Sequence, residues 1–416
     1  MKTILCFLLA AMMSLAVTAA ETRTKGKKES PTTTGKATAN RAEATESESS
    51  GAPSLKPAEE RGTIVRQVRS DSVWHEAEAF VVMPGKTVEL RAALPEATAV
   101  GNLSEVAPAA AKGAERTVSL AKSTDFRWKI PLGILDRLSD NQIEWEAPAA
   151  PGHYQIGCEA ESRGTLRYSA AGSVEKSRDL PILRASTTFH FLVPYAFDPE
   201  GRGVIEGYPI GVYPRENAAD VKAVIAAHRD SYRPPKWFVA VTSETRDLRV
   251  SEHFRLSDFV PDAPKDTAVF FPYNANLVRA LETVLDDLKT SSAPEPHIRI
   301  LRGFVSPYEA ERMRRQGARL LTWNRYQYGD GLLIVANRDG GNKMGYLDGD
   351  GKANARDAET LSVIVNRVQK RLGLPGWIGV YPERPDTTLP ETPMVGFDLR
   401  GWWAESYVVE TAPKSE

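Results

Sequence analysis

The sequence predicts an all-β sandwich followed by an α+β domain. Two observations carry that expectation. Between residues 63 and 197, short segments with period-two apolar spacing are divided by Pro- and Gly-rich turns. Beyond residue 250, helical apolar spacing alternates with short apolar strands.

Residues 1–20 read as a secretory signal. Lys2 gives the positive start, Ile4 to Leu15 the apolar run, and Val17-Thr18-Ala19-Ala20 a small-residue cleavage region. A dozen or so apolar residues are too few for a helix to cross a bilayer core of ~30 Å, so cleavage and export are expected, to a periplasmic, cell-envelope or extracellular site. No later segment is long and apolar enough to span a membrane. Residues 21–62 read as a spacer: Glu21 to Arg61 has no aromatic residue and no Ile or Val, too little apolar surface to offset chain entropy. With Cys6 inside the signal, Cys158 is the only cysteine left, so no intramolecular disulfide is expected and Cys158 reads as a buried, inert thiol. The 53 basic and 54 acidic residues nearly cancel, so no global field favours nucleic acid or an anionic membrane surface.

Residues 63–197 make the sandwich. Thr87-Val88-Glu89-Leu90-Arg91-Ala92 alternates after the turn Pro84-Gly85. Ile143-Glu144-Trp145 and Tyr154-Gln155-Ile156 alternate around Ala147-Pro148-Ala149-Ala150-Pro151-Gly152, and Thr187 to Phe191 is a further strand. Trp145 and Tyr154 read as core aromatics, and His153 and His190 as structural or surface groups. The run from Trp145 through Pro148, Gly152 and Tyr154 to Ile156 resembles the late strands of immunoglobulin-like bacterial domains.

Residues 198–249 are a connector rich in Gly, Pro and Tyr, with a short helix expected over 218–228 and a strand at Phe238-Val239-Ala240-Val241. The last domain spans 250–406, with 407–416 as a tail. Leu277, Leu281, Val284, Leu285 and Leu288 share one helical face. Ile298 to Leu301 is a strand. Ser306-Pro307-Tyr308-Glu309 then opens a helix, with Ser306 as cap and Glu309 at capping-box spacing. Leu332 to Ala336 is a buried strand. Leu361, Ile364, Val365, Val368 and Leu372 mark a second helix stopped by Gly373, and Trp377 to Tyr381 and Met394 to Asp398 are terminal strands.

Four landmarks in this half fall in the order found in zinc D-alanyl-D-alanine carboxypeptidases and murein endopeptidases. Gly207 to Pro214 with Val250 to Phe259 looks like the family's opening. Arg302-Gly303-Phe304-Val305-Ser306-Pro307 is similar to its S-G-Y-R-S-P. Asn324-Arg325-Tyr326-Gln327-Tyr328-Gly329-Asp330-Gly331-Leu332-Leu333 resembles S-x-H-x-x-G-x-A-x-D. Val395-Gly396-Phe397-Asp398-Leu399-Arg400-Gly401 resembles V-H-V-D-x-R-G.

The departures fall where the chemistry would be. Tyr326, Leu333 and Gly396 stand at the three metal positions, and Val305 replaces the Arg that would hold a substrate carboxylate. None of the chain's six His lies beyond His297. Hydrolytic zinc needs three protein ligands and an open water position. The resemblance therefore implies a D,D-peptidase-like fold without zinc and without catalytic residues. Arg302, Trp323, Arg325, Tyr326, Tyr328, Asp330, Asp398 and Arg400 are the candidate cleft residues. Trp323, Tyr326, Tyr328, Trp402 and Trp403 read either as stacking faces for sugar or stem peptide or as core.

A second candidate is a calcium loop: with Tyr346 at position one, Asp348, Asp350, Asn354 and Asp357 fall at three, five, nine and twelve. The alternative for the same residues is an acidic turn with Asp357 as helix N-cap. Three functions remain: a secreted pseudoenzyme that binds peptidoglycan or a cell-wall peptide, a divergent active peptidase, and an envelope protein making contacts through its sandwich.

Overall fold

Alternating side chains build the first half of the chain. The computed structural model describes residues 59–61, 63–70, 73–94, 116–170, 176–179, 182–214, 226–289, 296–318, 320, 323–404 and 407–408. The expected signal, most of the spacer and most of the expected helix at 218–228 lie outside these residues. Among the described residues the fold is mixed and mostly β, with few helices, and no helix is long and apolar enough to cross a membrane.

The N-terminal strands are β1 (Glu59–Arg61), β2 (Val65–Ser70), β3 (Val73–His75), β4 (Ala79–Val81), β5 (Thr87–Ala93), β6 (Arg116–Lys129), β7 (Ile134–Ser139), β8 (Gln142–Glu146), β9 (Gly152–Ala170), β10 (Lys176–Asp179) and β11 (Ile182–Val193). One sheet has the order β3-β2-β5-β8-β7. The other runs β1-β11-β9-β10, with β4 on β11 and β6 on β9. Their inward residues, among them Leu90, Ile143 and Trp145 from the first and Ile156, Cys158, Phe189 and Phe191 from the second, form one core. Trp145 is fully buried against Phe191, and its indole N–H donates to the Leu132 carbonyl. Cys158 is buried there too, and loss of hydration pushes its thiol up to about 12, which keeps it unreactive.

The connector contributes structure of its own: β12 (Tyr195–Ala196), the hairpin β13 (Val204–Ile205) and β14 (Tyr208–Pro209), and β15 (Trp237–Val241). β15 lies between β12 and β16 (Val269–Phe271) in a three-stranded sheet, and Phe238, Val239 and Val241 enter the C-terminal core. The sandwich runs into that core as well, through Ala79 and Leu192.

The C-terminal elements are α1 (Ala275–Lys289), β17 (His297–Arg302), α2 (Pro307–Arg315), β18 (Gly331–Asn337), α3 (Ala355–Leu372), β19 (Trp377–Tyr381), β20 (Met394–Asp398) and β21 (Tyr407–Val408). They form a five-stranded sheet of order β17-β18-β20-β19-β21, so the expected tail begins with a short strand parallel to β19. The apolar stripes of α1 and α3 join Leu332, Ile334, Ile378 and Phe397 in one core. β18 is buried along its whole length, as its continuous apolar run requires.

The helix ends show where local chemistry differs from expectation. Ser306 Oγ accepts the Glu309 N–H as predicted, but the Glu309 carboxylate pairs with Arg312, so only half of the capping box forms. The cap of α3 is Asn354, not Asp357. Asn354 sits in extended backbone, and Asp357 occupies the third helical position, its carboxylate accepting the Asn354 N–H. Gly373 ends α3 in the left-handed conformation, as expected.

Candidate functional site

One row of residues crosses the C-terminal sheet: Arg302 on β17, Leu333 on β18, Gly396 on β20 and Gly379 on β19 are successive cross-strand partners. Direct partners in antiparallel strands share a face, so these four positions point the same way. The two glycines leave bare backbone at the β20–β19 end of the row. Trp377 and Tyr381 lie two residues to either side of Gly379 on the same face; the Trp377 ring lies over Gly379, and both rings reach Gly396. A Cβ on Gly396 would lie 2.9 Å from Tyr381 Cε2 and 3.2 Å from both Leu333 Cδ2 and Trp377 Cζ3. Even an alanine there forces the rings to shift.

Tyr326 reaches this place from the 3-10 turn Arg325–Tyr328, which leads into β18. Its ring packs against the main core and against the small cluster of Val305, Ala310, Met313, Ala318 and Leu320. Burial pushes the phenol well above its ordinary value of 10, and its electrostatic neighbours are Tyr381, Arg302, Asp398 and Asp386. Leu333 and Gly396 are therefore adjacent, and Tyr326 lies within electrostatic reach of Tyr381, whose ring covers Gly396. What the three positions offer a cation is a protonated phenol, an alkyl group and no side chain. These groups do not fit zinc, which takes thiolate, imidazole or carboxylate. The turn itself depends on Gly329, whose φ is 69° and whose Cβ would meet Pro272 at 2.5 Å. The glycine of this turn thus has a steric reason to be glycine.

The charged candidates are already paired. Arg302, 2 % exposed, donates to Asp386 at 2.9 Å and to Thr388 Oγ1 at 2.6 Å. Burial raises the Asp386 carboxyl, but hydrogen bonds from Arg302 and Thr388 outweigh it and hold the group below the usual carboxylate range. Arg325 binds Asp330 through two nitrogens and donates to the Ser231 carbonyl at 2.6 Å, its guanidinium lying over Tyr232 and Tyr328. Burial weakens the Arg325 charge, yet Asp330 more than compensates and keeps it protonated. Asp398 takes Arg400 Nε at 2.8 Å and the Trp377 N–H at 3.2 Å. Each of these residues has its charge partner inside the protein.

The aromatic candidates divide by exposure. Tyr328 is buried against Tyr213 and Tyr232, and Trp323 meets Tyr232 edge to face. Trp402 stacks on His228 at 4.1 Å, with Arg400 on it and on Trp377. Trp403 alone of the five stands largely in solvent, 52 % exposed. A cavity of ≈ 10 Å³ beside Phe271, Tyr273, Phe304, Gly329 and Leu332 holds a water molecule at most. His253 lies between Glu282 at 2.7 Å and Lys289 at 3.0 Å.

The chain matches no family model, no curated protein and no solved structure.

Among the described residues, no group of three or more His, Cys, Asp or Glu is arranged to hold a metal ion. In the candidate calcium loop, Asp357 is fully buried and accepts the N–H groups of Leu347, Asp348 and Asn354. Asp350 takes Lys352 N–H and Asn354 Nδ2, and Asp348 takes Asp350 N–H. These oxygens fold the loop back on itself at the start of α3, with Asn354 rather than Asp357 as the cap.

Three residues of the site escaped sequence reasoning: Asp386, Trp377 and Tyr381. A signal existed for two of them, since a glycine at the centre of Trp377-Ile378-Gly379-Val380-Tyr381 marks a close approach to the strand. Asp386 carried none, because its partner Arg302 is 84 residues away.

Two outcomes follow from these pairings. Asp330→Asn leaves the Arg325 guanidinium buried without its counter-charge and lowers stability by about 3–5 kcal/mol, whereas Arg325→Met with Asp330→Leu recovers most of that loss; urea unfolding measures both. Asp357→Ala lowers Tm far more than Asp348→Ala, by the same amount with calcium or with a chelator; a difference that vanishes under chelation would restore the calcium reading.

Proposed function

We propose that this is an exported envelope protein whose C-terminal module has the fold of a zinc D,D-peptidase but no hydrolytic centre. The observation that carries the reading is the row at Leu333 and Gly396. Positions that the resemblance assigns to metal ligands are adjacent in space and are filled by Leu333, Trp377 and Tyr381. The apolar helix faces and the Gly329 turn support a reading in which the fold is kept without the chemistry. In this reading the immunoglobulin-like sandwich is an accessory domain, and the ligand is peptidoglycan or a cell-wall peptide. Because the buried ion pairs are self-contained, recognition falls to the rim of the module, where Trp403 is exposed.

One observation favours contact through the sandwich instead. Edge strand β7 and the turn before it expose Leu132, Ile134 and Leu138, each at least half accessible. An apolar edge of this kind suits a protein partner.

Metal and substrate assays test the reading together. The wild-type chain is expected to hold no stoichiometric zinc and to leave D-Ala-D-Ala peptides intact. Tyr326→His, Leu333→Asp and Gly396→His, combined with Tyr381→Ala to clear the ring from the new imidazole, should bind one zinc per chain. Zinc-dependent cleavage by the wild type overturns the pseudoenzyme reading, and a four-fold variant that gains no zinc affinity overturns the fold assignment. Sedimentation with purified sacculi then separates the two contact surfaces. Loss of binding on Trp403→Ala supports the rim, and a native chain that does not sediment with sacculi favours a protein partner on the sandwich edge.

A further inference from the structure

We propose that His153 and His190 form a proton-operated latch on the seam between the sandwich and the C-terminal half. Their rings stack with centroids 5.1 Å apart, and His153 Nε2 lies 2.9 Å from His190 Nδ1. Three charged groups lie around the pair. β2 places Arg66 near His190, the residue before β4 supplies Glu78, and the turn after β15 brings Glu244 to 3.9 Å from His153 Nδ1. Glu78 is also the seam itself. Its carbonyl accepts the His190 backbone N–H, its own N–H donates to the Arg249 carbonyl, and its carboxylate accepts the Arg249 backbone N–H. Ala79 N–H shares that Arg249 carbonyl. Acid chemistry at His190 thus acts one residue from the bonds that hold the two halves together.

The geometry fixes how protons are accommodated. With both rings neutral, His190 Nδ1–H donates to His153 Nε2, and His153 Nδ1–H faces Glu244. One added proton is tolerated: it goes to His153, whose Nε2–H then donates to His190 once that ring shifts its own hydrogen to Nε2. Glu244 stabilises the resulting imidazolium. A second proton leaves an N–H on both facing nitrogens, 2.9 Å apart, with Arg66 alongside. The rings must then separate, and Glu78 and Arg249 separate with them.

Burial, followed by His153 and Arg66, lowers His190 to about 4 from its ordinary 6.5, and burial lowers His153 despite Glu244. A folded value below the unfolded one means that this contribution is complete above pH 6.5 and fades as pH falls toward about 4. The latch is therefore closed near neutrality and open in acid.

Hydrogen exchange on the full chain, corrected for the intrinsic rate at each pH, tests the latch. The amides of Glu78, Ala79 and Arg249 should lose about tenfold protection or more between pH 7 and pH 4, since lowering a pKa by one in the closed form changes the opening equilibrium about tenfold. The amides of β18 should be unchanged. His190→Gln should abolish the loss. NMR titration of the two imidazoles in the wild type gives a reading independent of that variant's folding, with one imidazole titrating close to 4. Equal seam protection at both pH values, or two imidazoles titrating independently near 6.5, overturns the proposal.

Discussion

The contact on which the C-terminal site depends is the approach of two aromatic rings to bare backbone. Gly379 and Gly396 are neighbours on adjacent strands, and Trp377 and Tyr381 fill the space that side chains would take. Both rings come from the same strand as Gly379, so the cover is local and needs no ligand to form. Burying two large rings on a sheet face removes apolar area from water at little conformational cost, because each side chain has two torsions. A histidine at 396 competes with those rings for one volume. A side chain at 396 and the aromatic cover therefore exclude one another.

Around that centre, charge is neutralised in pairs. Arg302 with Asp386, Arg325 with Asp330, and Arg400 with Asp398 lie at the sheet end where β17, β18 and β20 meet the loops. Such pairs add little net stability against well-packed apolar residues, but breaking one is costly. They fix the loop at 386 and the turn at 325–328 relative to the sheet. Their positions match the landmarks of the proposed family, while their partners keep the charges inside. The same segments thus serve as scaffold.

Much of the fold was legible, for physical reasons. Alternation around Leu90 and Trp145 and the stripes at Leu277–Leu288 and Leu361–Leu372 are local signals of burial, and the structure places all of them in cores. Gly373 and Ser306 follow from capping chemistry in the same way. The α3 cap was misassigned because Asn354 and Asp357 are both good N-caps, and tertiary contacts decide between them: Asp357 also holds Leu347 and Asp348. The site was half legible. Motif spacing brought Leu333 and Gly396 together, yet spacing carries no information about the rings above them or about Asp386. The exposure of Trp403, against the burial of Tyr328, is equally a matter of tertiary packing.

Proton NMR of the native chain measures the central contact most directly. If Trp377 and Tyr381 cover the glycine pair, the Hα protons of Gly396 and Gly379 are shifted by the rings. The Leu333 methyl groups then show cross-peaks to both Gly396 Hα and the Tyr381 ring. Glycine protons at ordinary positions, with no Leu333 cross-peak to either, would show an open floor and contradict the account.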